Sequence, residues 1–102
     1  MGLAVVAPAN ILKAQNPLGR TGLKVSPLAL GTAALGIDYG LPGSADFKRP
    51  AFESSVDLVR RAFDAGINFF DTAPAYGVAE DVLGSALAGV SGAVIASKAA
   101  VT

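Results

Sequence analysis

Three short apolar runs alternate with two stretches of helical periodicity along this chain. Leu28-Ala29-Leu30-Gly31-Thr32, opened by Pro27, is followed by Ile67-Asn68-Phe69-Phe70 and then by Ala93-Val94-Ile95-Ala96. Each has the length and composition of a strand buried on both faces of a parallel sheet. Between the first two, residues Phe52 to Ala65 place Val56, Val59, Ala62 and Phe63 at helical spacing, with Arg60, Arg61 and Asp64 largely on the other face. Gly66 follows where a left-handed helix stop belongs. Glu80 to Leu87 repeats the pattern with Val82, Leu83, Ala86 and Leu87 inward and Gly89 closing. Ahead of these units, Leu18 to Ser26 sets Gly19 and Thr21-Gly22 before Leu23-Lys24-Val25, which predicts a small hairpin around a glycine turn. Leu35 to Pro50, broken by Gly36, Gly40, Pro42 and Gly43, predicts a long connection. Strand, helix, strand, helix, strand in this order predicts an α/β fold with a parallel sheet and right-handed crossovers.

Length changes that picture. A closed barrel of such units needs about 250 residues, and 102 residues accommodate only the hairpin, three strands and two helices. Hydrophobic residues make up 52% of the chain, more apolar surface than those elements bury among themselves. The open sheet edges are therefore expected to be covered by the remainder of a barrel or by self-association. The stop at Ala99-Ala100-Val101-Thr102, directly after a buried strand, favours truncation over a natural short protein. Residues 1–16 read as a flexible N-terminus, or as a signal remnant because Ile11-Leu12-Lys13-Ala14-Gln15 resembles the tail of an export signal. The location expected is cytoplasmic, or exported in the second case.

Charge and residue inventory exclude several classes. Eight basic and eight acidic residues cancel, and no basic run exceeds two residues, so no nucleic-acid partner is expected. The absence of cysteine and histidine removes disulfides, thiolate nucleophiles, His-dependent triads and nearly every zinc site, and no metal site is expected. No apolar run approaches the roughly 20 residues of a membrane span.

Candidate chemistry gathers at the strand ends. Asp71 follows the second strand, Tyr76 stands five residues later in the connecting loop, and Lys98 follows the third strand. Neighbouring parallel strands lie about 4.8 Å apart, so groups at one height touch, and Asp71 and Lys98 are expected at the same height. In a barrel interior Asp71 would keep Lys98 cationic, and Lys98 would make the Tyr76 hydroxyl a usable acid toward a carbonyl oxygen. Taken singly, each residue has an ordinary reading: a solvated edge lysine, a turn-capping aspartate, an aromatic loop anchor. Their joint occurrence in this element order raises the chemical reading.

The sequences Leu18-Gly-Arg-Thr-Gly-Leu-Lys-Val-Ser-Pro-Leu28, Gly31-Thr32, Ala65-Gly66-Ile67-Asn68-Phe69-Phe70-Asp71-Thr72-Ala73, Tyr76-Gly77, Leu83-Gly84 and Ser97-Lys98 together resemble the N-terminal third of an aldo/keto reductase. The resemblance runs from about Pro17 to Lys98, and residues 17–102 are read as the first part of its barrel. It implies a (β/α)8 TIM barrel closed at the bottom by a hairpin, and an oxidoreductase that interconverts aldehydes or ketones and alcohols with NADPH bound without a Rossmann fold. By matching position, Tyr76 would be the proton donor, Lys98 its partner and Asp71 the residue that pairs with Lys98. Gly31, Thr32 and Asp71 would lie at the nicotinamide end of the cofactor. The family's histidine after strand four has no counterpart in a chain without histidine, so the 102 residues alone are expected not to turn over substrate. Ala79, where many relatives carry serine, is expected to affect only helix capping. The alternative is a non-catalytic half-barrel or a regulatory relative that acts through a partner.

Overall fold

The computed structural model describes residues 14–38 and 48–99. Most of the expected N-terminal segment and of the long connection, including Tyr39 and Gly40, therefore lie outside the described residues. Two strands, β1 (Asn16–Pro17) and β2 (Lys24–Val25), pair antiparallel. The hairpin thus starts earlier than Leu18, and Leu18 to Leu23 forms its turn. The reason is local: the Thr21 hydroxyl donates to the Leu18 carbonyl at 2.6 Å and accepts from the Leu23 N–H at 3.1 Å. Those side-chain bonds close the turn inside the Leu18 N–H to Leu23 carbonyl bond of 2.9 Å.

Three parallel strands follow, β3 (Ala29–Gly31), β4 (Phe69–Asp71) and β5 (Val94–Ala96), hydrogen-bonded in the order β3-β4-β5. Leu30, Phe70 and Ile95 form one row across the sheet, and Gly31, Asp71 and Ala96 the next. The helices are α1 (Ala33–Gly36), α2 (Phe52–Ala65) and α3 (Ala79–Ala86). α1 corrects the reading of Leu35 onward as connection, because a single turn of Ala-Ala-Leu too short to show a period is held by burial of Leu35 in the core. α2 matches its expected bounds and ends at Gly66, whose φ of 118° lets its N–H reach the Ala62 and Phe63 carbonyls.

The core lies between the helices and one face of the sheet: Leu35, Val59, Phe70, Val82, Leu83 and Ala86 are buried, with Phe63, Ile67 and Leu87 packed around them. α2 and α3 are locked further by Arg60, which donates to the Ala86 and Ser85 carbonyls, both at 3.3 Å. These are orphan acceptors at the C-terminal end of α3. Ile95 remains 49% exposed although its row-mate Phe70 is fully buried, because among the described residues no helix covers β5. Leu28 and Leu58 are likewise exposed, as the excess of apolar surface implies. No helix among the described residues is long and apolar enough to cross a membrane.

Candidate active site

The row Gly31, Asp71, Ala96 marks the C-terminal edge of the sheet, and the ladder runs one step past it. The Thr32 N–H donates to the Asp71 carbonyl at 3.1 Å and the Thr72 N–H to the Ala96 carbonyl at 2.8 Å. Thr32 is fully buried, and its hydroxyl also donates to the Asp71 carbonyl, at 2.8 Å. The Asp71 backbone is thereby fixed by two bonds from Thr32, the residue after β3, which leave its carboxylate for Lys98.

The level partner of Asp71 is Ala96, so the expectation that Lys98 stands at the same height is corrected: it lies two residues on, beyond the end of β5. A step of two residues restores the side-chain parity of a strand, and the long lysine stem spans the remaining distance. The Lys98 amine donates to Asp71 Oδ1 and to the Thr72 carbonyl, both at 3.2 Å. It also lies over the Tyr76 ring, 5.2 Å from the centroid, within cation–π range. The Asp71 hydrogen bond is the main cause that raises the Lys98 pKa above its ordinary value. Partial desolvation opposes that rise, while the Asp71 charge and the Tyr76 phenol add to it. Both side chains of the pair remain about half exposed, 53% for Lys98 and 49% for Asp71, so the pair is screened by water here.

Tyr76 sits in the loop between β4 and α3. Its N–H donates to the Ala73 carbonyl at 3.0 Å, and its own carbonyl accepts from Ala79, the first residue of α3, at 3.0 Å. Asp71, Tyr76 and Lys98 are therefore brought together, Thr32 serves as a backbone clamp beneath them, and Gly31 lies open beside them. A side chain built on Gly31 would meet nothing within 4 Å. Among the described residues no cluster of three potential metal ligands occurs.

Two supporting residues escaped the sequence reading. Asn68 is buried, accepts from the Ser26 N–H at 2.6 Å and donates to the Lys24 and Gly92 carbonyls at 2.9 and 3.1 Å. It ties the hairpin to the strand that carries Asp71. Its signal was present, a lone amide inside an apolar strand. Gly36, which meets the Tyr76 backbone, had no such signal among the other glycines of its segment. Ala79 is fully buried against Gly36 and so does more than cap a helix.

Parallel β/α units that bring a lysine, an aspartate and a tyrosine together at the C-terminal strand ends place this cluster where (β/α)8 barrels carry their active sites. The chain belongs to the aldo/keto reductase family, whose sequence model it matches over residues 27–101. It is 44% identical over 72 residues to L-galactose dehydrogenase of Arabidopsis thaliana and 43% identical over 72 residues to pyridoxal 4-dehydrogenase of Microbacterium luteolum. Each match covers 69% of this chain but only 20% and 19% of the relative, so the chain spans about one fifth of their length. A solved Pseudomonas aeruginosa structure assigned to the aldo-keto reductases superposes with a TM-score of 0.70 at 44% identity, covering 87% of this chain and 34% of that one. The fold is thus the opening part of a TIM barrel.

Proposed function

We propose that this chain carries the proton-transfer half of an NADP(H)-dependent carbonyl reductase or alcohol dehydrogenase. The observation that carries the reading is Lys98, held 3.2 Å from the Asp71 carboxylate and 5.2 Å over the centre of the Tyr76 ring. In reduction the Tyr76 hydroxyl donates its proton to the carbonyl oxygen; in oxidation the same oxygen takes the proton from the alcohol. Lys98, kept charged by Asp71, lowers the energy of the phenolate formed in either direction. The nicotinamide cofactor supplies or accepts the hydride when bound. Gly31, level with Asp71 and with open space where a side chain would stand, would together with Thr32 and Asp71 hold the nicotinamide end of the cofactor. Thr32 would act through Asp71, since its own hydroxyl is committed.

A more specific substrate class is favoured by the two dehydrogenase relatives. L-galactose and pyridoxal are both aldehydes with a hydroxyl placed to close on the carbonyl as a cyclic hemiacetal. Oxidation of such a hemiacetal loses the carbon-bound hydride to the cofactor and the hydroxyl proton to Tyr76, and leaves a lactone.

The test is a graft of residues 17–102 in place of the matching third of the Pseudomonas aeruginosa relative, assayed by nicotinamide absorbance with a small aldehyde and with a cyclic hemiacetal. Tyr76→Phe is expected to lower turnover by about 10²–10⁴-fold, the usual worth of a general acid, with cofactor binding nearly intact. Retained turnover in that variant would reject the proton-donor role.

A further inference from the structure

The single turn of α1 ends against the loop that carries Tyr76. Gly36 is buried, and a Cβ built on it would overlap the Tyr76 carbonyl oxygen and lie 2.7 Å from Ala79 N and 2.8 Å from Ala79 Cβ. The contact is reciprocal. Gly77 has a φ of 54°, and a Cβ there would overlap the Gly36 carbonyl oxygen and come 3.0 Å from Ile37 Cγ2. That same Gly36 carbonyl accepts from the Val78 N–H at 3.3 Å. Two backbones thus meet at glycines, along the stretch from the Tyr76 carbonyl to Ala79. Gly31 and Gly84 offer the contrast, since a Cβ on either would meet nothing within 4 Å.

We propose that Gly36 is a positioning residue that seats Tyr76 beneath the Lys98 amine. The proposal gives Tyr76 its importance through the proton-donor reading, but the geometry stands without it. The near side of the contact cannot yield easily. Thr32 is fixed to the Asp71 carbonyl by two bonds, and the Leu35 N–H donates to the Thr32 carbonyl at 3.0 Å, so α1 grows directly from the clamp that holds Asp71. Leu35, one residue before the contact, is buried in the core. Lys98 is held from the other side by Asp71 and Thr72. A methyl group at position 36 must therefore push the Tyr76 backbone, and Lys98 does not follow. The effect falls on the distance between the amine and the ring and on Ala79 at the start of α3, which the same methyl crowds, with the sheet and α2 left in place. One residue, Thr32, thus links the seat of the carboxylate to the seat of the phenol.

The test reads that distance directly in the 102-residue chain. Protons over an aromatic face are shifted upfield by the ring current, so the Lys98 ε-methylene signal reports its place over Tyr76, with Tyr76→Leu as the unshifted reference. Gly36→Ala is expected to lose most of the upfield shift while the Val59, Val82 and Leu83 methyls keep their dispersed positions; Gly84→Ala is expected to keep it. A folded Gly36→Ala chain with the shift intact would overturn the proposal, as would an unmodified chain with no shift to lose. Should Gly36→Ala lose its methyl dispersion, Ile37→Ala decides the matter, since it loosens the packing beside Gly77 without overlap: a partial loss of shift is expected, and an unchanged one overturns the seat. Failure of the proton-donor reading shows separately, as turnover retained by Tyr76→Phe in the grafted barrel, whatever the Lys98 signal does.

Discussion

Asn68→Ala removes a side chain that joins three separate segments of backbone. The Ser26 N–H it leaves behind belongs to a residue only 4% exposed, and Asn68 itself is 5% exposed, so water does not readily replace the lost acceptor. A stranded buried donor costs about 1–3 kcal/mol. The bonds to the Lys24 and Gly92 carbonyls end on exposed residues that turn to solvent, and together they add about 0.5–1.5 kcal/mol. The total, about 1.5–4.5 kcal/mol, corresponds to a fall in melting temperature on the order of 6–36 °C for a chain of this size. Thermal unfolding followed by circular dichroism measures it. Asn68→Asp sharpens the test, because it keeps the acceptor for Ser26 but turns two donors into a buried carboxylate facing two carbonyls. Burial raises the pKa of such a carboxyl, so its destabilisation is largest at neutral pH and eases as pH falls through the carboxyl range. A shift below about 0.5 kcal/mol for Asn68→Ala, or an Asn68→Asp variant with no pH dependence beyond that of the unmodified chain, would refute the claim that this amide holds the hairpin to the sheet.

Other outcomes follow from the same structure. Gly84 lies in the middle of α3 with open space where a side chain would go, so Gly84→Ala is expected to stabilise the chain by about 0.5–1 kcal/mol; an unchanged or lowered melting temperature would contradict it. Lys98 has its folded-state pKa raised by Asp71, so its contribution to stability is complete below its ordinary value of 10.5 and is lost as pH rises through the higher folded value. Asp71→Asn is expected to bring the Lys98 titration, followed by its side-chain carbon shifts, back down toward the ordinary value; a titration that does not move would remove Asp71 as the cause. In the grafted barrel, Tyr76→Phe is expected to lose turnover and keep cofactor binding.

Much of the element order was determined by sequence alone. The spacing of Val56, Val59 and Phe63 and the glycine at position 66 leave little choice but a helix with a left-handed stop, and Ala93-Val94-Ile95-Ala96 marks a short strand, though one whose burial the pattern overstates, since Ile95 is 49% exposed. Asp71, Tyr76 and Lys98 could be singled out because their residue types and order suit one chemistry and match one family. The tertiary structure decided how they meet. Parallel register set Ala96, not Lys98, level with Asp71, because the ladder counts backbone groups and is indifferent to which side chain has the longer reach. It also decided that Thr32 spends its hydroxyl on the Asp71 carbonyl, and that Asn68 and Gly36 belong to the architecture of the site. Those roles depend on contacts between residues 24 to 44 positions apart in the chain, and no local pattern records which distant backbone will arrive to fill the space a glycine leaves.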